Sequence, residues 1–187
     1  MLPGKGVQLL VRGGKGHSTG WLSPNLQLHG DFDVQAKFVD FDTTGPVDSS
    51  NGIFLRAITQ DDMLTHAGVF RGTLRRPKSH TRQIAQTQFN RDRSGNNGVS
   101  FIGETAEEAT AGTLRLARRG DLIYCLLSEN DSANFRLIHV EKIATEPTIR
   151  DGLRLSNSVY STMDDESSTA VTWQRIKMRA ESMTAAR

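Results

Sequence analysis

The sequence is short of several things that would give a chain an obvious function. It has one cysteine, Cys125, among 187 residues. That excludes an internal disulfide framework and any zinc site built on thiolates. Cys125 sits inside Leu122 to Leu127 (LIYCLL), which is also the longest apolar run. It is therefore expected to be a small buried core residue. The run is strand-sized and far below the roughly 20 residues that span a bilayer. Before the first turn signals, Val7 to Val11 is too short for a signal-peptide core. This leaves both a cytoplasmic chain and a piece of a longer exported protein open. Neither sign of charge dominates, since the net charge is +2. The one basic concentration, Arg71, Arg75, Arg76, Lys78 and Arg82, has no aromatic residue within it. Binding to single-stranded nucleic acid combines such charges with stacking rings. A solvated hairpin or loop is expected instead, with neither nucleic acid nor membrane as a partner.

The familiar catalytic and metal-binding motifs are also missing. Gly13-Gly14-Lys15-Gly16-His17-Ser18-Thr19-Gly20 resembles a phosphate cradle only in composition. A P-loop places Lys directly before Ser or Thr at a helix start, whereas Gly16 follows Lys15 and a strand-like segment comes next. This stretch reads as a flexible connection. The five histidines show no HxH or HxxxH spacing, and no G-x-S-x-G elbow is present. Asp164, Asp165 and Glu166 lack the alternating ligands and the glycine of a calcium loop, so an acidic solvated turn is expected. No metal and no cofactor are expected. Arg119-Gly120-Asp121 falls between two apolar runs, where a hairpin tip accounts for it without an adhesion partner.

What the sequence does have is alternation. In Gly30 to Asp42, Phe32, Val34, Ala36 and Phe38 alternate with Asp31, Asp33, Gln35 and Lys37. A period of two puts one set on each face of a strand. The pattern slips at Phe38-Val39, which predicts a bulge or burial on both faces. Comparable segments recur every 10 to 15 residues or so, with Gly, Asn, Asp and Ser at the joints. They include NGIFLRAIT, HAGVFRGTLRR, GTLRLAR, DLIYCLLSE, NFRLIHVEKI, DGLRLSNSVYS and AVTWQRIKMRA. Such spacing predicts an antiparallel sandwich or barrel. Thr105 to Thr110 (TAEEAT) is the only plausible turn of helix. A single domain over 1–187 is expected, with 1–19 and 181–187 flexible or peripheral.

Gly30 to Phe38 (GDFDVQAKF) resembles the G-x-F-E-x-R-x-K strand of concanavalin A-like lectins and glucanases, an early strand of their concave sheet. Gly112 to Leu127 is similar to their paired L-R-L strands, and Phe135 to Ile143, Gly152 to Leu155 and Val171 to Met178 to their closing strands. The order resembles an uncharacterised bacterial domain family of that superfamily, over about residues 20 to 180. The resemblance implies an all-β jelly-roll sandwich of two antiparallel sheets, one concave, with a groove where glycans often bind. Phe32, Val34, Ala36, Phe38, Ile53, Leu55, Leu114, Leu116, Leu153, Leu155, Trp173, Ile176 and Met178 are the expected core.

Retaining glucanases of that superfamily carry E-x-D-x-E on one strand. Here the nearest match is Asp31-x-Asp33-x-Gln35, whose third member is an amide that neither donates nor accepts a proton as a catalyst must. No second such motif is found. Asp61 and Asp62 are adjacent and would point to opposite faces of a strand. The expectation is therefore a lectin-like, non-catalytic module that binds a glycan or polysaccharide on the concave face. Asp33, Gln35, Lys37, Arg56 and Tyr160 are its candidate contacts. A structural or protein-interaction domain of a larger protein is the alternative, and a glycoside hydrolase a more remote one.

Overall fold

The computed structural model describes residues 6–58, 66–79, 81–90, 98–105, 109–130, 132–142 and 153–185. In chain order its strands are β1 (Val7–Gly13), β2 (Gly16–Leu22), β3 (Leu26–Thr44), β4 (Ser49–Ile58), β5 (His66–Arg75) and β6 (Arg82–Asn90). They continue as β7 (Gly98–Glu104), β8 (Gly112–Arg119), β9 (Leu122–Glu129), β10 (Arg136–Lys142), β11 (Leu153–Ser161) and β12 (Ser167–Ala185). Among the described residues there is no helix, and so none long and apolar enough to cross a membrane. The strands form two six-stranded antiparallel sheets. The first has the order β1-β12-β3-β8-β9-β10 and the second β2-β11-β4-β5-β6-β7. The protein is the all-β jelly-roll sandwich that the resemblance implied, within the sandwich-or-barrel class that the strand pattern predicted.

Alternation builds the interior. Phe32, Val34, Ala36 and Phe38 of β3 are all buried, beside Leu114 and Leu116 of β8 and Ile123, Cys125 and Leu127 of β9. From the second sheet Ile53, Leu55, Ala67, Val69, Phe89, Leu153 and Leu155 join the same cluster. Burial of each large side chain contributes roughly 1.5–3 kcal/mol. Trp173 lies edge-on to Phe38, with ring centroids 6.3 Å apart. Burial also raises the Cys125 pKa, with Glu141 a smaller cause, which keeps the thiol inert.

Two expected core residues differ. Met178 only packs against the margin of the core, and Ile176 is 39% exposed. Ile176 pairs with the buried Ala36, so it lies on the inward side. Among the described residues β1 pairs with β12 only as far as Trp173.

The slip at Phe38-Val39 is a bulge two residues further on. Trp173 pairs with Phe38 and Thr172 with Val39, after which Ala170 pairs with Asp42. Val171 thus opposes both Asp40 and Phe41, and Asp40 takes a φ of 53°. The extra residue turns Phe41 inward, where its ring meets Phe38 at 6.0 Å.

The basic segment is not the solvated hairpin expected of it, because Arg71 is fully buried. It points inward from β5, with Nε 3.3 Å from Glu129 Oε1 and Nη1 donating to Gln83 Oε1 at 2.6 Å. Parity decides this: Arg71 shares a face with Val69 and Thr73, while Arg76, Pro77, Lys78 and Ser79 are exposed at the turn. The glycine-rich segment from Gly13 to Gly20 differs too. It turns tightly at Gly14-Lys15, with Gly16 at φ 95°, and carries the chain from the edge of the first sheet to the edge of the second.

Candidate functional site

The outer face of the second sheet carries a groove of about 230 Å³. Strand parity selects its lining. β4 contributes Ser50, Phe54 and Arg56; β5, Phe70; β6, Gln86 and Gln88; β11, Ser158 and Tyr160; and β2, His17. Register places these side chains in rows across the strands. Tyr160 stands opposite both His17 and Ser50. Phe54 faces Phe70, and Phe70 in turn faces Gln86.

Two phenylalanines make the floor. Phe54 and Phe70 have ring centroids 4.4 Å apart and, with Ile84 and Leu74, form an apolar cluster separate from the main core. Gly52 and Gly72 pair across β4 and β5. A Cβ on either would collide with the Phe70 ring, so glycine at both positions is what lets that ring lie over the strands. The floor aromatics are almost covered. Tyr160 and Trp21 at the margin are 37% and 56% exposed, and Tyr160 also touches the His17 ring at 5.8 Å.

One side of the groove is cationic. Arg56 lies over the Phe54 ring at 3.8 Å and donates weakly to Gln88 Oε1 at 3.4 Å. Its buried Nε has no hydrogen-bond partner among the described residues. Burial, and secondarily Arg154, lower its pKa to about 10. Arg154 stands directly across from it on β11, over Trp21 at 5.5 Å. Burial, then Arg56 and Arg154, push His66 down to about 4, and its Nε2 has no hydrogen-bond partner among the described residues. Burial and Arg56 lower His17 in the same sense.

The structure does not gather the five residues singled out in the sequence. Arg56 and Tyr160 line this groove. Asp33, Gln35 and Lys37 are on β3, in the other sheet. Asp33 is held by Arg115, whose Nε donates to Oδ1 at 3.0 Å and whose Nη2 also contacts the carboxylate. Gln35 and Lys37 line a shallow depression with Thr113, Arg175 and Lys177. The sequence reading missed the Phe54-Phe70 floor, Gln86, Gln88 and Arg154. Its available signal was Gly52-x-Phe54-x-Arg56 followed by Gly68-x-Phe70-x-Gly72, with small residues and one ring on a shared face.

The other motifs resolve simply. Asp164, Asp165 and Glu166 lie in an exposed turn, with Glu166 3.6 Å from Arg12. Among the described residues no group of three or more possible ligands could hold a metal ion. Gly120 turns the hairpin at φ 57°, and its N–H donates to Asp31 Oδ1 at 2.7 Å. Thr105, Ala109 and Thr110 are not helical; 106–108 lie outside the described residues, as do Asp61 and Asp62.

Comparison with known proteins then places the chain. A family described as "Protein of unknown function (DUF1583) C domain" matches residues 3–187. The chain belongs to this family. No curated protein matches it. Among solved structures, a functionally unknown protein from Saccharomyces cerevisiae superposes with a TM-score of 0.54 at 12% identity, covering 83% of this chain and 72% of that one. A xylan β-1,4-xylosidase from Bacillus halodurans C-125 gives 0.50 at 10% identity, over 90% of this chain and 33% of the xylosidase. The VIP36 exoplasmic/lumenal domain in its Ca2+/Man2-bound form gives 0.49 at 10% identity, over 96% and 94%. The first two likenesses are likenesses of fold.

Proposed function

We propose that this DUF1583 C domain is a non-catalytic, carbohydrate-binding member of the concanavalin A-like superfamily, and that its ligand lies along the outer face of the β2-β11-β4-β5-β6-β7 sheet. The observation that carries this reading is the composition of the groove. An exposed ring, Tyr160, stands at the margin of a row of amide, hydroxyl and guanidinium groups. Sugars present apolar ring faces edged by hydroxyls, and both halves of that surface are matched here. The cavity is smaller than the roughly 300–1,000 Å³ of pockets that enclose a drug-sized ligand. It suits a chain laid across the sheet rather than a molecule swallowed by it.

Among the described residues that line the groove there is no carboxylate. Glycoside hydrolysis uses a pair of them, about 5–5.5 Å apart for retention or about 6.5–9.5 Å for inversion. Binding is therefore favoured over hydrolysis. A glycan array tests the reading. The intact protein should retain a subset of glycans, and Tyr160→Ala should weaken that binding about tenfold, in line with 1–1.5 kcal/mol for a ring contact. An array without signal, combined with a protein that captures a protein partner through the same face, would favour the interaction-domain alternative.

A further inference from the structure

Arg56 and Arg154 stand opposite each other on adjacent strands. Several other arginines have a carboxylate within 4 Å. Arg71 has Glu129 at 3.3 Å, Arg76 has Asp48 at 2.8 Å, Arg115 has Asp33 and Arg12 has Glu166 at 3.6 Å. Arg56 and Arg154 have no such partner among the described residues. They are instead register partners on adjacent strands of the groove sheet, with their side chains on the same face. Like charges directly opposite each other on a sheet are destabilising. The cost is higher here because Arg56 is largely withdrawn from water. Each guanidinium lies over an aromatic ring, Arg56 over Phe54 at 3.8 Å and Arg154 over Trp21 at 5.5 Å. Arg56 donates weakly to Gln88, and its buried Nε has no hydrogen-bond acceptor among the described residues. Two histidines, His17 and His66, stand in the field of Arg56. No described acidic side chain lines this groove.

We propose that the ligand of this groove is an acidic polysaccharide, whose carboxylate or sulfate groups seat between Arg56 and Arg154 while its sugar rings lie along Gln86, Gln88 and Tyr160. The inference rests on the glycan-binding reading above and narrows it to one chemical class. A guanidinium fork matches a planar carboxylate in two parallel hydrogen bonds and serves sulfate oxygens equally well. An anion between the two arginines cancels the repulsion that the empty sheet carries. A neutral glycan leaves that repulsion in place and leaves the buried Arg56 Nε without an acceptor.

The test compares ligands that differ only in charge. Polygalacturonate and its carboxyl-reduced derivative form one pair, and dextran sulfate and dextran the other. All four are titrated calorimetrically into the intact protein at 0.15 M salt, where long-range attraction between exposed charges is largely screened. At least one acidic member should bind about tenfold or more tightly than its neutral counterpart, as expected when charge-assisted hydrogen bonds of about 1.5–3 kcal/mol are lost. The pair that shows the difference identifies carboxylate or sulfate as the group read. Arg56→Gln and Arg154→Gln should each reduce the difference, and the double variant should abolish it. Because the substitutions relieve a like-charge contact, the melting temperature should hold or rise.

Equal binding of charged and neutral members, or binding of neutral glycans alone, would overturn the acidic class while leaving the groove reading intact. Absence of binding by all four, together with an empty glycan array, would overturn both. A charge preference unchanged in the double variant but lost in Lys37→Gln/Lys177→Gln would move the anion to the opposite sheet and overturn the assignment.

Discussion

At the scale of single residues, two side chains show charge managed in opposite ways. Arg71 is wholly inside, and its charge is answered by Glu129, Gln83 and the Gly72 carbonyl. Removing one member of a buried pair strands the other, so Arg71→Ala should cost about 3–5 kcal/mol in urea unfolding. A cost below about 1 kcal/mol would show that Glu129 is relieved by other groups, Arg136 at 3.9 Å among them. His66 is kept neutral by burial and by the two groove arginines, with its pKa lowered to about 4. The unfolded chain titrates near 6.5, so between these values it binds more protons than the folded one. Stability is full above about pH 6.5 and falls as the pH drops toward 4. Urea midpoints measured from pH 7.5 to 4.5 should decline, and His66→Gln should flatten part of that decline. An unchanged slope in the variant would remove His66 from the account.

At the scale of elements, strand parity explains both what the sequence revealed and what it concealed. The inward half of β3 was legible because Phe32, Val34, Ala36 and Phe38 alternate cleanly with polar residues. β5 was not, because His66 to Arg75 is buried or half-buried throughout, and two-sided burial erases the alternation that separates the faces. Arg71 consequently looked like part of a surface cluster. The distribution of Asp33, Gln35 and Lys37 on one sheet and Arg56 and Tyr160 on the other was equally hidden. Alternation assigns a residue to a face of its own strand but never says which sheet the strand joins; that depends on pairings such as β3 with β12, fixed by contacts far apart in sequence. The groove floor makes this testable. Gly72→Ala would force the Phe70 ring from its place. It should destabilise the fold by about 1–3 kcal/mol and weaken glycan binding more than an exposed substitution such as Lys78→Ala. Unchanged binding with Phe70 displaced would separate the floor from recognition.

At the scale of the whole molecule, the sandwich divides its labour. One interior packs both sheets together, and the two outer faces differ in what they present. The first sheet's face ties down Asp33 with Arg115 and Arg119. The second sheet's face gathers an apolar floor, exposed rings and two arginines without carboxylates. That asymmetry is the ground for proposing the ligand site on the second sheet. The most direct measurement is an amide-resolved NMR titration of the 20.6 kDa protein with the strongest ligand from the glycan array. Shifts confined to β2, β4, β5, β6 and β11, with Ser50, Arg56, Gln88 and Tyr160 among the largest, are the predicted result. Shifts centred on Gln35, Lys37 and Lys177 of the opposite sheet, or no shifts with any glycan, would contradict it.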